Sequence, residues 1–431
     1  GTPVLDLTFS YDKKLKTYTI KIEQACPASP GQDKKLPYHM PLEIGLIDKN
    51  GQDIHLNLEK PHSQPQIQNG VLHLRNETEI FTFHNVESEP IPSINRGFKA
   101  PIKINSPLKE TELAFLMAYD SDDFNRYEAC MKSGERVLNI ILNNLKDNKT
   151  PVVDAVYLNA FKSILNDLKL DSAMKTLMLT LPTETILRQG HNPINHCLIF
   201  QAREWLKKSL GEIFKNEFLS IYNSQHDGGE FSLSCDAMGR RSLKNTALSY
   251  LATASKDGLD LAYAQFVKAS NMTDEIASFS LLTRYENDLK EEVIKTFYDK
   301  WNHETLVMQK WLSVLASSPL EDTFERVLKL ETDPIYDHAV PNLLRSLVGS
   351  FVRNTVHFHN ESGKGYQFLR ERILAIDPIN PSMGSRLTSV FGDYHKLEAD
   401  LKALMKIELE LIKNAPDISK NTFEIVSKIL G

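Results

Sequence analysis

Side chains able to do chemistry are sparse in this chain, and the most suggestive stand in "WNHETLVMQKW" (301–311). His303-Glu304 is the first half of H-E-x-x-H, in which two histidines one helical turn apart grip a metal and the glutamate activates water. The position that should supply the second histidine is Val307, which has no lone pair to give. A second group, "HNPINHC", holds His191, His196 and Cys197. If Asn192 caps a helix opened by Pro193, His191 lies outside it and His196 within its first turns, which leaves no shared ligand face. His357 and His359 in "HFH" would point the same way only on a strand, and their surroundings read as a helix end. Gly363-Lys364-Gly365 lacks the preceding strand and the third glycine of a dinucleotide fingerprint. No G-x-S-x-G elbow or P-loop occurs. Spacing alone therefore assigns no catalytic residue, no metal ligand and no cofactor.

The elements that must position these residues are of two kinds. Eleven of the 20 prolines fall within the first 107 residues, and proline is expelled from helix interiors because it lacks a donor and clashes with the preceding turn. The first quarter reads instead as strands, at 16–24, 41–47, 53–59, 71–75 and 79–86, several of them alternating apolar and polar residues. Asn50-Gly51 can take the positive φ angles of a tight hairpin between the second and third. Short strands at such intervals fit a small antiparallel sandwich over 1–106.

From 107 to 431 the period becomes helical. In 201–222, Leu206, Leu210, Ile213, Phe214, Phe218 and Ile221 share one face, with lysines and glutamates opposite. Caps or helix-opening prolines mark starts at Asp171, Thr183, Asn192-Pro193, Thr273 and Ser318-Pro319. Further amphipathic segments follow at about 235–254, 258–270, 273–285, 287–299, 304–316, 320–331, 341–355, 364–376, 382–413 and 418–430. So many short helices cannot surround one core and are expected to stack pairwise as a solenoid-like, superhelical domain without a fixed repeat period.

Bulk properties narrow the function. A chain of 431 residues is long enough for two or more domains. With 56 acidic against 50 basic side chains the net charge is -6, which offers no field to a nucleic acid. No bilayer-spanning run or signal peptide is legible, so a soluble, cytoplasmic protein with no membrane partner is expected. Cys26, Cys130, Cys197 and Cys235 are scattered singly, as idle thiols in a reducing compartment are. A first residue of Gly1 in place of methionine suggests a piece of something longer.

Longer stretches carry a resemblance. "NMTDEIASFSLL" (271–282), "KWNHETLVMQKWLSVLASSP" (300–319), "LLRSLVGSF" (343–351), "SGKGYQFL" (362–369) and "DPINPSMGSRL" (377–387) resemble the C-terminal half of the bacterial aminopeptidase N (alanyl aminopeptidase) family of zinc metallopeptidases. Residues 24–51 and "INRGFKAPIKI" (94–104) are similar to that family's sandwich segment. The resemblance implies an immunoglobulin-like sandwich followed by a helical cup. The zinc, its ligands and the water-activating glutamate would belong to a catalytic domain outside this chain. That catalytic domain and peptide substrates are then the expected partners, with the sandwich as spacer and the cup as lid and size filter. The chain alone is expected to be inactive.

Two cup-lining arginines of the family match Arg345 and Arg386, whose guanidinium groups would hold a peptide's carboxylate or backbone carbonyls. Without the resemblance, both read as helix-surface arginines engaged with local carboxylates. Cys26, Ala28, Leu343 and Arg353-Asn354-Thr355 depart from the family's usual residues, which puts fine substrate preference in doubt more than the fold. The competing class is a free-standing helical scaffold with a concave binding surface and an accessory sandwich.

Overall fold

Alternation dictates the first element: in β1 (Val4–Asp12) the buried Leu5 and Leu7 are flanked by the exposed Asp6 and Thr8. The computed structural model describes residues 1–58, 67–68, 70–226 and 230–431. After β1 come β2 (Thr17–Ala25), β3 (Met40–Ile47), β4 (Ile67–Gln68), β5 (Val71–Leu74), β6 (Thr78–Phe83), β7 (Ile91–Ile94) and β8 (Lys103–Asn105). They form two sheets, β6-β2-β1-β8 and β4-β5-β3-β7. Inward-facing Leu5, Ile20 and Phe81 of the first meet Leu42, Leu46 and Leu72 of the second in one apolar core.

All pairings are antiparallel except that of β1 with β8, which is parallel. The chain leaves one sheet after β7 and rejoins the other at β8, and that crossover sets the direction. The strand expected at 53–59 is not a ladder. Asp53 and Leu58 make single bridges, while Ile54, Leu56 and Leu58 pack half-buried on the core, so the alternation reflects packing without strand pairing. Residue 59 lies outside the described residues. Gly51 takes φ 79° in its turn, but Asn50 does not adopt a positive φ.

The crossover is held by one polar knot. Asn95, buried and left-handed at φ 65°, brackets Ala100: its Nδ2 donates to Ala100 O (2.9 Å) and its Oδ1 accepts from Ala100 N (3.1 Å). Arg96 then donates to Ser93 Oγ (2.9 Å) and pairs with Asp53 (2.7 Å) and Asp120 (3.2 Å). Gly45 makes room for it, since a Cβ there would lie 2.0 Å from the Arg96 guanidinium carbon.

Helices occupy the rest. The chain divides into two compact units, 1–137 with 152–181, and 138–151 with 182–431. In the first unit, Glu110–Tyr119 packs on Ala155–Asn166, which packs on Ser172–Leu179. In the second, successive helices pack pairwise: Lys215–Ser224 on Cys235–Ala254, that helix on Lys256–Lys268, and Lys256–Lys268 on Met272–Arg284. Farther along, Thr305–Ala316 lies on Pro341–Phe351, and Lys364–Ile376 on Ala399–Lys413.

Several helices start where a polar side chain caps them, as Asp171 and Thr183 do. Five expectations fail locally, the first being the start at Ser318-Pro319, since the helix begins only at Thr323 after Asp322. The segment 201–222 is two helices, His196–Ile213 and Lys215–Ser224, because Phe214 leaves the helical conformation (φ -108°, ψ 28°) as its ring is buried. The helix expected from Asn192-Pro193 starts at His196 instead, capped by Asn195. The segment 273–285 is capped by Asn271 and not by Thr273. The segment 382–413 breaks after Pro381–Thr388 into a 3-10 stretch, Ser389–Lys396, before Ala399–Lys413. That break frees Lys396 O to accept from Ile194 N (2.7 Å) and Leu397 to bridge Ile194.

Candidate functional site

Arg345 and Arg386 are placed by apolar faces. On Pro341–Phe351 the residues Leu344, Leu347, Val348 and Phe351 turn inward, so Arg345 faces solvent. Its Nε donates to Pro341 O of its own helix (3.2 Å). On Pro381–Thr388, capped by Asn380, the buried Met383, Gly384 and Leu387 leave Arg386 exposed, and its guanidinium has no partner among the described residues. Neither arginine meets a local carboxylate among the described residues. They stand on separate helices, and no hydrogen bond joins them.

His303 and Glu304 precede Thr305–Ala316 and do not lie within it. Both are exposed, with His303 Nε2 3.9 Å from the Glu304 carboxylate. That helix buries Met308, Trp311, Leu312, Leu315 and Ala316, while Leu306 is 72% exposed. Among the described residues no three His, Cys, Asp or Glu side chains converge as a metal would need. A catalytic zinc therefore does not fit the described residues of this chain.

The fold does join two histidines that the sequence keeps apart. His196, first residue of its helix, stacks on His359 with ring centroids 3.6 Å apart and planes 6° apart. His359 Nδ1 shares a 2.8 Å hydrogen bond with Tyr366 Oη. Burial, reinforced by the positive charge of Arg188, pulls His196 down to about 4. Burial, then His196 and Arg188, holds His359 well below its ordinary value. Both rings are neutral at pH 7. His359 lines a cleft of about 520 Å³ with Arg188, Arg203, Arg353, Glu184 and Asp393. Arg188 pairs with Asp393 (3.3 Å), and Arg203 donates to Pro182 O (2.6 Å). In that cleft Thr355 Oγ1 donates to Glu184 Oε2 (2.5 Å), a contact the histidine rings do not share, and the stacked pair is packing between helices. His191 bonds Asn139 instead (2.8 Å).

The resemblance-bearing stretches turn out to hold buried polar joints. In "NMTDEIASFSLL", Asn271 caps the helix and Asp274 pairs with Lys244 at 2.6 Å, both nearly inaccessible. Gln265 Nε2 donates to Asn245, Asp274 O and Ser278 alongside. Glu275 accepts from Lys300 Nζ (2.9 Å) and Trp301 Nε1 (3.0 Å), tying in the "KW" of the next stretch. In "DPINPSMGSRL", buried Asp377 accepts from Ser419 N (2.7 Å), Ser419 Oγ (2.7 Å) and Thr422 Oγ1 (2.5 Å). Gly384 is required beside it, since a Cβ would sit 2.4 Å from Asp377 Oδ1.

Comparison with known proteins accounts for both kinds of structure. Residues 110–431 match the family described as "Domain of unknown function (DUF3458_C) ARM repeats", and residues 1–107 match its "Ig-like fold" counterpart. Aminopeptidase N of Haemophilus influenzae is 29% identical over 431 residues, and that of Escherichia coli 30% over 433. Each match takes in 100% of this chain and 49% of the relative. The crystal structure of Legionella pneumophila aminopeptidase A in complex with aspartic acid superposes with a TM-score of 0.84 at 25% identity, again over 100% of this chain and 49% of that one. The chain thus spans about half the length of the curated relatives it matches. It belongs to the DUF3458_C family of ARM-repeat domains preceded by an Ig-like fold, and matches the C-terminal portion of aminopeptidase N.

Proposed function

We propose that this chain is the noncatalytic portion of a cytoplasmic, zinc-dependent aminopeptidase that removes N-terminal residues from peptides. The observation that carries this reading is the match along the whole chain to half of each aminopeptidase N, combined with His303-Glu304 lying outside a helix and lacking a second histidine. In this reading the zinc and its ligands belong to the half of the relatives that this chain does not match. The Ig-like sandwich is a spacer, and the helical domain is a lid that admits peptides and excludes folded proteins. Among the described residues no helix is long and apolar enough to cross a membrane, which agrees with a role alongside a catalytic domain and not within a bilayer.

Arg345 and Arg386 are the side chains assigned to substrate. Each projects from a helix whose opposite face is buried, and neither is neutralised by a neighbouring carboxylate among the described residues. A guanidinium so placed is free to form paired, charge-assisted hydrogen bonds with a peptide's terminal carboxylate.

The test has two arms. Purified alone, the chain should not hydrolyse an alanyl chromogenic substrate, and hydrolysis with stoichiometric bound zinc would overturn the assignment. In a polypeptide that also carries the catalytic half, Arg345→Ala or Arg386→Ala should raise KM for free-acid peptides about tenfold, the worth of one charged hydrogen bond. The kcat should hold. Amidated peptides should show no such difference, and an equal effect on both would remove the carboxylate role.

A further inference from the structure

The outer face of the sheet β4-β5-β3-β7 carries two histidines that the aminopeptidase reading does not use. His73 lies in β5 opposite Pro41 of β3, and His39 precedes β3 by one residue. Met40, Leu42, Leu72 and Leu74 all point into the core, so strand alternation sends residues 39, 41 and 73 to the opposite, solvent-facing side. There His39 Nε2 and His73 Nδ1 share a 3.1 Å hydrogen bond, with ring centroids at 5.4 Å and planes 43° apart.

That separation, held by a hydrogen bond, also suits an ion bound in place of the shared proton. Metal–imidazole bonds of about 2.05 Å drawn from two nitrogens this far apart meet at about 98°, between the roughly 90° of tetragonal and the roughly 109° of tetrahedral coordination.

The backbone at both ends is already fixed. Gln24, buried near the end of β2, accepts from Tyr38 N (2.9 Å) and donates to Tyr38 O (3.0 Å) and Asn76 O (2.9 Å). One side chain thereby clamps the residue before His39 and the residue three beyond His73. Among the described residues no third protein ligand joins them, so any bound ion keeps open positions for water.

We propose that His39 and His73 form a two-histidine surface site for a divalent transition-metal ion, with Gln24 as its positioning residue. Imidazole nitrogen selects Cu2+ and Zn2+ over hard ions such as Mg2+, and Cu2+ binds tighter than Zn2+ at a nitrogen site.

Titration calorimetry of the intact chain with CuCl2, ZnCl2 and MgCl2 tests it. One Cu2+ or Zn2+ per chain is expected, with no saturable Mg2+ binding. His39→Ala and His73→Ala should each weaken Cu2+ and Zn2+ binding tenfold or more, and each should remove one imidazole from the Cu2+ paramagnetic resonance spectrum. Both residues are on the surface, so the metal-free variants should melt with the parent chain. Gln24→Ala should weaken binding while leaving two imidazoles on the copper, which a merely structural role would not do. Binding that survives both histidine substitutions unchanged, or no saturable Cu2+ or Zn2+ binding, overturns the proposal.

Discussion

The sandwich and the helical unit reach order by different means. In the sandwich one apolar core is filled from alternate strand positions of both sheets, and buried charge gathers at the crossover around Arg96. In the helical unit the apolar packing is divided among many helix pairs, and buried polar joints recur: Lys244–Asp274, Glu275 with Lys300 and Trp301, Asp377 with Ser419 and Thr422. Stacked helices can slide or rotate against one another at small cost in apolar area, whereas a buried charge tolerates few partners. The joints therefore set register where apolar packing alone would not.

The most severe test removes one member of a joint. Lys244→Met leaves Asp274 buried without its cation, which should cost about 3–5 kcal/mol. Asn245 and Asn271 still donate to that carboxylate, so the lower end is expected. Thermal or denaturant unfolding of the intact chain measures it. A loss below about 1 kcal/mol, in the range of surface changes, would break the contrast with the sandwich.

A second test uses pH. His196 is buried neutral and its pKa is pulled down to about 4. Between about pH 6.5 and 4 the unfolded chain takes up a proton there and the folded chain does not, so stability falls as pH falls. The contribution is complete above the unfolded value and lost as pH drops through the folded one. The span corresponds to about 3 kcal/mol. His196→Phe, which retains a ring to stack on His359, should flatten that slope in unfolding curves recorded from pH 7 to 4. An unchanged slope would place the acid sensitivity elsewhere.

What the sequence discloses follows the same division. Periods of two and of three to four residues report apolar burial, so β2, β3 and β5 and the helices Cys235–Ala254 and Lys364–Ile376 were legible within a residue or so. Periodicity does not report hydrogen bonding. The alternation of Ile54, Leu56 and Leu58 therefore looked like a strand, although only single bridges form there. It also runs through breaks: Phe214 keeps the apolar period while ending one helix and starting the next. Residues that meet across long stretches of chain leave no local signal, so the stacking of His196 on His359 and the approach of His39 to His73 were not readable. Arg345 and Arg386 came from the resemblance and not from periodicity, and the structure adds that each lies on the exposed side of its helix.

The mildest test returns to the sandwich. Burial pushes the Asp120 carboxyl above its ordinary value, opposed by Ser93, the Asp122 backbone and Arg96. Arg96→Met would keep most of the side chain's bulk beside Gly45 and remove the cation. The Arg96 side chain is itself partly open to solvent and Asp53 is more so, so Asp53 rehydrates and the loss should be about 2 kcal/mol at pH 7. Asp120, with no exposed side-chain surface, cannot rehydrate and must take up a proton instead. The deficit of Arg96→Met relative to the parent chain should therefore shrink as pH falls toward the carboxylate range, the reverse of the trend set by His196. A deficit equal at pH 7 and pH 5 would mean that water reaches Asp120 once Arg96 is gone, and that the sandwich does not depend on this knot as the helical unit depends on its joints.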